Sequence, residues 1–285
     1  WLRRLTISCC PSTILQNYFR RREMASSIYN NIFKRLAQKE LILPFFENAM
    51  LADNWPTSYN VRIESGPYYG LGDNYFHPST HALMGARELY YRFHPDTRDQ
   101  IISERKTLQS HITLAIGSSL HGVIQTQMSM AGLIVSDDDI ELEYINKEHH
   151  VRGRADFVVT HPNGERVLVE LKTQNTYAFN KQESVKPAWD AQLSLAADNL
   201  GYDFGVLMVL ETGWPYRMKE YRVPRNDTLL SEIYQKFDFV RESIALNRPP
   251  KYCCPFDSQT MKSCAARGVC WLAEDNDREE SPEAV

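Results

Sequence analysis

The stretch Val151–Thr173, VRGRADFVVTHPNGERVLVELKT, constrains the fold of this chain more than any other. Arg152 to Val159 suits a strand, His161-Pro-Asn-Gly-Glu165 supplies turn chemistry, and Val167 to Lys172 is apolar enough for a buried second strand. Such a hairpin sets Asp156 in its first strand. It sets Glu170 and Lys172 on one face at the end of its second. Charged side chains in buried strands are costly unless they are paired or bind a metal. Two carboxylates and an ammonium gathered this way suit a divalent cation and a phosphate. The plainer alternative is an ion pair at a sheet edge, Glu170 with Lys172 or Asp156 with Arg154. A second Glu-x-Lys, Glu104-Arg-Lys106, lacks the strand context and reads as a solvated helix face.

The surroundings of the hairpin supply the fold. Apolar residues at helical spacing from Ile101 to Ile124 predict a long helix over 98–131. Strands are predicted at Ile140–Asn146, Val151–Thr160 and Glu165–Lys172. A helix from Pro187 to Leu200 follows, with proline in its first turn. Phe204–Leu210 reads as a buried strand, Arg217–Val223 as an alternating one, and Thr228–Leu246 as an amphipathic helix. The order helix, three strands, helix, strand predicts an α/β fold with a mixed sheet flanked by helices. Glu141 and Glu143 share a face of the first strand. Either could add a carboxylate, with Glu143 nearer the hairpin, or both belong to an exposed edge.

Ahead of this core, Pro56, Gly66, Pro67, Gly70, Gly72 and Pro78 mark 52–78 as loop, and Ser79–Tyr91 has helical periodicity behind an N-cap candidate. Residues 1–23 are arginine-rich and hold no acid before Glu23. They read either as a mitochondrial-type presequence or as an extension ahead of a start at Met24. The division that results is 1–23, a helical and loop region 24–110, the core 111–246, a Cys-rich segment 247–273 and an acidic tail 274–285.

Charge excludes little. The net charge is −4, and the tail acids Glu274, Asp275, Asp277, Glu279, Glu280 and Glu283, against Arg278, more than account for it. The rest is near neutral, which a locally basic nucleic-acid groove tolerates. No apolar run approaches the roughly 20 residues of a membrane helix. Six cysteines fall into two groups, Cys9 with Cys10 and then Cys253, Cys254, Cys264 and Cys270. Without a secretory signal a disulfide framework is disfavoured, so the second group points to a metal or cluster, or else to buried thiols gathered by chance.

The order Asp156, then Glu170-x-Lys172, resembles the PD-(D/E)XK nuclease superfamily. Gly153-Arg-Ala-Asp156 is similar to its RecB-type branch, which includes CRISPR-associated and phage exonucleases. That branch places a histidine in the helix before the sheet and a glutamine in the helix after it, and His121 and Gln192 match those positions. Ala196 stands where the family usually has tyrosine, a departure from the last motif. The resemblance covers about residues 79–273. It implies a restriction-endonuclease-like αβββαβ core with a helical N-terminal part and a Cys-rich C-terminal segment.

The resemblance also implies roles. Asp156, Glu170 and the Leu171 carbonyl would offer oxygen ligands to Mg²⁺ or Mn²⁺, and His121 an imidazole that favours Mn²⁺. Lys172 would position water or neutralise charge on the phosphate, and Gln192 would orient substrate or Lys172. The expected activity is a metal-dependent DNA exonuclease acting on single strands or duplex ends in recombination, repair or processing. A structure-specific or restriction-type endonuclease and a degenerate DNA-binding scaffold are the alternatives. Relatives hold a [4Fe–4S] cluster with three C-terminal cysteines and one early cysteine. Here Gly85 takes the early place, so Cys253, Cys254, Cys264 and Cys270 are the candidate ligands, with zinc as the second choice and Cys9 or Cys10 as other sources of a fourth thiol. A phage or prokaryotic cytoplasmic setting is implied, with the mitochondrial matrix as the alternative; the oligomeric state stays open.

Overall fold

The computed structural model describes residues 41–52, 55–56, 58–61, 74–101 and 107–272. The helix anticipated from Met24, the decoy Glu104-Arg-Lys106, Cys9, Cys10 and the acidic tail lie outside them. The chain divides into two compact units, one built from 83–105 and 234–285 with the N-terminal residues, the other from 32–82 and 106–233.

The larger unit is organised on a five-stranded mixed sheet. Its strands are β1 (Ile140–Asn146), β2 (Val151–Thr160), β3 (Arg166–Gln174), β4 (Phe204–Glu211) and β5 (Met218–Pro224), in that spatial order. All neighbours are antiparallel except β3 with β4. A parallel pair needs a crossover, and α5 (Thr176–Lys181) and α6 (Pro187–Leu200) provide it. Earlier in the unit come α1 (Leu43–Met50), α2 (Pro78–His81) and α4 (Leu108–Met130). Between α4 and β1 the chain passes through a short 3-10 turn, Asp137–Asp139. The α-β-β-β-α-β order of the restriction-endonuclease-like fold is therefore present, running from α4 through α6 to β4.

Alternation assigns the two faces of the sheet. Val167, Val169 and Leu171 of β3, with Val206, Met208 and Leu210 of β4, enter one core cluster with Phe46 of α1 and Ile124 and Met128 of α4. The intervening residues Leu168, Glu170 and Lys172 take the opposite face, which α6 covers. Pro187 opens α6 at its first turn and Gly201, at φ 78°, closes it in the left-handed region. Thr107 caps α4 by accepting from the Ser110 amide.

The long helix departs from its expected extent. It starts at Leu108, after a separate 3-10 turn at Arg98–Gln100. Its first half exposes Leu108, Ile112 and Ile116, and burial begins only with Gly122, Ile124, Gln125 and Met128. The helix read over Ser79–Tyr91 is likewise two pieces, α2 and then α3 (Ala86–Phe93) in the smaller unit. The smaller unit also holds α8 (Gln259–Ser263) and α9 (Arg267–Leu272), while α7 (Asp227–Ala245) carries the chain from the larger unit into the smaller.

Candidate active site

The hairpin register builds the site. Phe157 pairs with Val169 across β2 and β3, which puts Asp156 and Glu170 at the next opposed position. Asp156 accepts a hydrogen bond from the Leu171 main-chain N–H at 2.7 Å, and His121 Nδ1 of α4 lies 3.6 Å from the same oxygen. Glu170 Oε1 accepts from Lys172 Nζ and from Gln192 Nε2, both at 2.6 Å. The Lys172 ammonium also donates to Gln192 Oε1 at 3.0 Å. All five anticipated side chains converge. The Leu171 main chain reaches Asp156 through its amide.

The Glu170–Lys172 ion pair is thus present, but not at a sheet edge. β3 is the central strand, and Glu170 is 1 % exposed. Arg154 bonds Glu141 and leaves Asp156 to His121. A buried pair in this position gains little net stability over apolar residues, because desolvation offsets attraction.

The charges are poised in an unequal way. Burial, and then the charge of Asp156, push the Glu170 carboxyl up to about 7. Burial also opposes ionisation of Asp156, but His121, Lys172 and the Leu171 amide outweigh it and hold that carboxyl below its ordinary value. The His121 imidazole is raised: burial disfavours its charged form, and Asp156 more than offsets that cost. Lys172 is raised on the same logic by Glu170 and Asp156. Glu170 Oε2 meanwhile is buried without a hydrogen-bond partner. A buried carboxylate oxygen without a partner is costly and calls for an explanation.

The third carboxylate is Glu141, not Glu143. Leu142 pairs with Ala155 and Ile140 with Phe157, so Glu141 falls opposite Asp156. It accepts from Gln125 Nε2 at 3.1 Å and from Arg154, and the same Gln125 amide reaches the Asp156 carbonyl oxygen at 3.1 Å. Burial and Asp156 raise the Glu141 carboxyl. Glu143 is half-exposed and faces Arg152 at 3.5 Å. Both acids keep the same parity, but β1 runs antiparallel to β2, so the start of β1, not Glu143, comes opposite Asp156. Two cavities, of about 630 and 210 Å³, meet at the site and share His121, Arg154 and Asp156.

Gly153 of the Gly-Arg-Ala-Asp motif has a local physical reason. A Cβ there would lie 2.3 Å from the Tyr144 ring on the paired strand, so only glycine lets the ring lie across β2. On α5, Phe179 is buried and Tyr177 is exposed. Among the described residues, no three His, Cys, Asp or Glu side chains form a ready-made metal cage. No helix among them is long and apolar enough to cross a membrane.

In the smaller unit Cys253, Cys254, Cys264 and Cys270 are all free thiols. Burial and the three neighbouring thiols push Cys253 up to about 12. Arg87, buried on α3, donates from Nε to Cys270 Sγ at 3.2 Å and from Nη1 to the Pro250 carbonyl at 2.6 Å. A Cβ on Gly85 would stand 2.9 Å from Cys253 Sγ, so that sulfur fills the space a side chain at 85 would take.

No protein-family model matches the chain, and no curated protein matches it. Among solved structures it is similar to the crystal structure of SSO0001, at 16% identity and a TM-score of 0.45, over 81% of this chain and 94% of that one. It is also similar to the alkaline exonuclease LHK-Exo from Laribacter hongkongensis, at 17% identity and a TM-score of 0.45, over 61% of this chain and 89% of that one. The same enzyme in complex with dAMP matches at 16% identity. Likeness at this level carries no functional weight.

Proposed function

We propose that the chain is a divalent-metal-dependent deoxyribonuclease that hydrolyses phosphodiester bonds, acting as an exonuclease on single strands or duplex ends. The observation that carries this reading is the buried Glu170, which shares a central strand with Lys172, faces Asp156 and keeps one oxygen without a partner. Asp156, Glu170 and the Leu171 carbonyl would hold Mg²⁺ or Mn²⁺, with His121 as the nitrogen ligand. The bound ion would polarise the scissile phosphate and lower the pKa of water.

The chain's own groups do the rest. Lys172, held by Glu170 and Gln192, presents its ammonium where charge develops on the phosphate. Gln192 fixes that ammonium by accepting from it while donating to Glu170. His121 and the Leu171 amide keep Asp156 ionised, so the carboxylate stands ready as a ligand at neutral pH. Arg154 lines both cavities beside the site and would contact the substrate backbone.

The test uses end-labelled linear and circular single-stranded DNA with Mg²⁺, Mn²⁺ or chelator. Cleavage should require the cation and fall by about 100-fold or more in Lys172→Ala and Asp156→Ala, as loss of a charge-stabilising group does. Activity that survives both substitutions would overturn the mechanism. Circular substrate cut as fast as linear would move the reading to an endonuclease.

The thiol group supports a second, structural proposal. Cys253, Cys254, Cys264 and Cys270 together would bind an iron–sulfur cluster, with Cys253 as the fourth ligand in the space that Gly85 leaves. Adjacent cysteines strain a single tetrahedral zinc, whereas a polynuclear cluster gives each thiolate its own iron. Iron and acid-labile sulfide should therefore accompany the anaerobically purified chain and drop in Cys253→Ser. A colourless protein that binds zinc would overturn the cluster.

A further inference from the structure

Helix α5 and the β4–β5 loop form a surface that the carboxylate site does not explain. Trp214 is 83 % exposed, Tyr177 69 % and Tyr216 57 %. Rings left in water to this extent forgo the stabilisation that burying their apolar area would give. The loop is seated on the helix at two points. A Cβ on Gly213 would stand 2.7 Å from Thr176 Oγ1, and Arg217 Nη2 donates to Asn180 Oδ1 at 2.7 Å. Trp214 and Tyr216 meet edge to face at 6.4 Å between these points. Tyr216 holds φ 61°, an uncommon conformation for a bulky side chain, closed by its own N–H on the Gly213 carbonyl at 2.7 Å.

Charge selects the occupant. In Thr176–Lys181 and 212–217 the charged side chains are Lys181 and Arg217, both cationic. Lys181 Nζ lies 4.2 Å from the Tyr177 ring centre. Arg217 is anchored on the fully buried Glu211 at 2.9 Å yet keeps 47 % of its side chain exposed. Flat rings flanked by cations match a polyanion whose bases are unpaired, since in a duplex the base faces are already covered by stacking. The surface is also continuous with the site. The Thr212 N–H donates to the Gln174 carbonyl at 2.8 Å. Gln174 lies two residues past Lys172 on β3, which is about 7 Å along a strand.

We infer that Tyr177, Trp214 and Tyr216, with Lys181 and Arg217, form a stacking platform for the unpaired bases of a single-stranded nucleic acid entering or leaving the carboxylate site. The inference rests on the nuclease reading for its purpose, but its binding is measurable without cleavage. Each stacked base would contribute through its ring, and the cations would hold the backbone beside it.

The experiment is fluorescence anisotropy of a labelled oligothymidylate and of a blunt hairpin duplex, with chelator present to suppress cleavage. It compares the full-length chain with Tyr177→Ala/Trp214→Ala and with Lys181→Glu. The double variant should bind the single strand at least about tenfold more weakly, as the loss of stacked bases implies, and bind the duplex almost as the parent does. Lys181→Glu should weaken the single-strand complex and reduce its salt dependence. The rings are exposed, so both variants should melt with the parent. Unchanged single-strand affinity in the double variant, or equal loss for strand and duplex, would overturn the platform and leave the rings to a protein partner. Ring-dependent binding by a chain that cleaves nothing would refute the nuclease reading and keep the platform. Lys172-dependent cleavage with ring-independent binding would do the reverse.

Discussion

Glu170 holds the least stable charge in the site, and its position predicts how the metal-free protein responds to pH. Its carboxyl stands at about 7 in the fold, above its ordinary 4.5, because of burial and then Asp156. A raised folded-state pKa means that the native state holds the proton more tightly than the unfolded chain. The contribution is therefore fully present below 4.5 and is lost as pH rises through about 7. Asp156 has the opposite sign, but its window lies below its ordinary value of 3.8. His121, raised from 6.5, adds a loss of the same sign only above that pH. Glu141, raised from 4.5 by burial and Asp156, acts with the same sign, so between pH 4.5 and 6.5 the slope belongs to Glu170 and Glu141 together. Melting temperature measured over this interval should fall with pH in the parent and fall less steeply in Glu170→Gln, where Glu141 alone remains. Added Mg²⁺ or Mn²⁺ should stabilise the parent more as pH rises, since it competes with that proton. A parent and variant with parallel slopes would rule this out. The charged triad was legible in sequence because strand parity alone brings Asp156, Glu170 and Lys172 together. Glu141 was not, because parity groups it with Glu143 and only the register of β1 on β2 decides which of them meets Asp156.

At the scale of elements, the site depends on how closely α6 lies on the sheet. Gly205 of β4 sets that distance. A Cβ there would stand 2.6 Å from Leu193 Cδ1 and 2.8 Å from its Cγ, and Leu193 is 1 % exposed. It cannot swing into solvent, so Gly205→Ala must push the helix outward. Gln192, the preceding residue, would then leave its bonds to Glu170 and Lys172. The expected cost is about 1–3 kcal/mol of stability, with a loss of cleavage larger than unfolding explains. Adding Leu193→Ala should restore part of the activity by removing the clash. A stable, fully active Gly205→Ala would disprove the spacing argument. Helix α6 was readable from Pro187 and from its apolar run. The first half of α4 was not, because periodicity marks an apolar face without saying whether the fold covers it; Leu108 remains 73 % exposed.

For the whole molecule, chain order and compact units do not coincide. The smaller unit is made of two stretches separated by more than a hundred residues, 83–105 and 234–285, with the N-terminal residues. Closing such a unit requires contacts distant in sequence, which periodicity cannot reveal. Arg87 makes several of them. From α3 it donates to the Pro250 carbonyl at 2.6 Å and to Cys270 Sγ at 3.2 Å, and its guanidinium lies 3.9 Å from the centre of the Tyr252 ring. At 4 % exposure it is fully desolvated, so Arg87→Ala would strand buried acceptors and open a cavity under Tyr252. The expected destabilisation is about 2–4 kcal/mol. Native-state hydrogen exchange can show where the loss falls. Protection should drop most in the amides of 86–101 and 250–272, the two stretches that Arg87 ties together. A loss spread evenly over both units would mean that Arg87 does not join these segments as the structure implies.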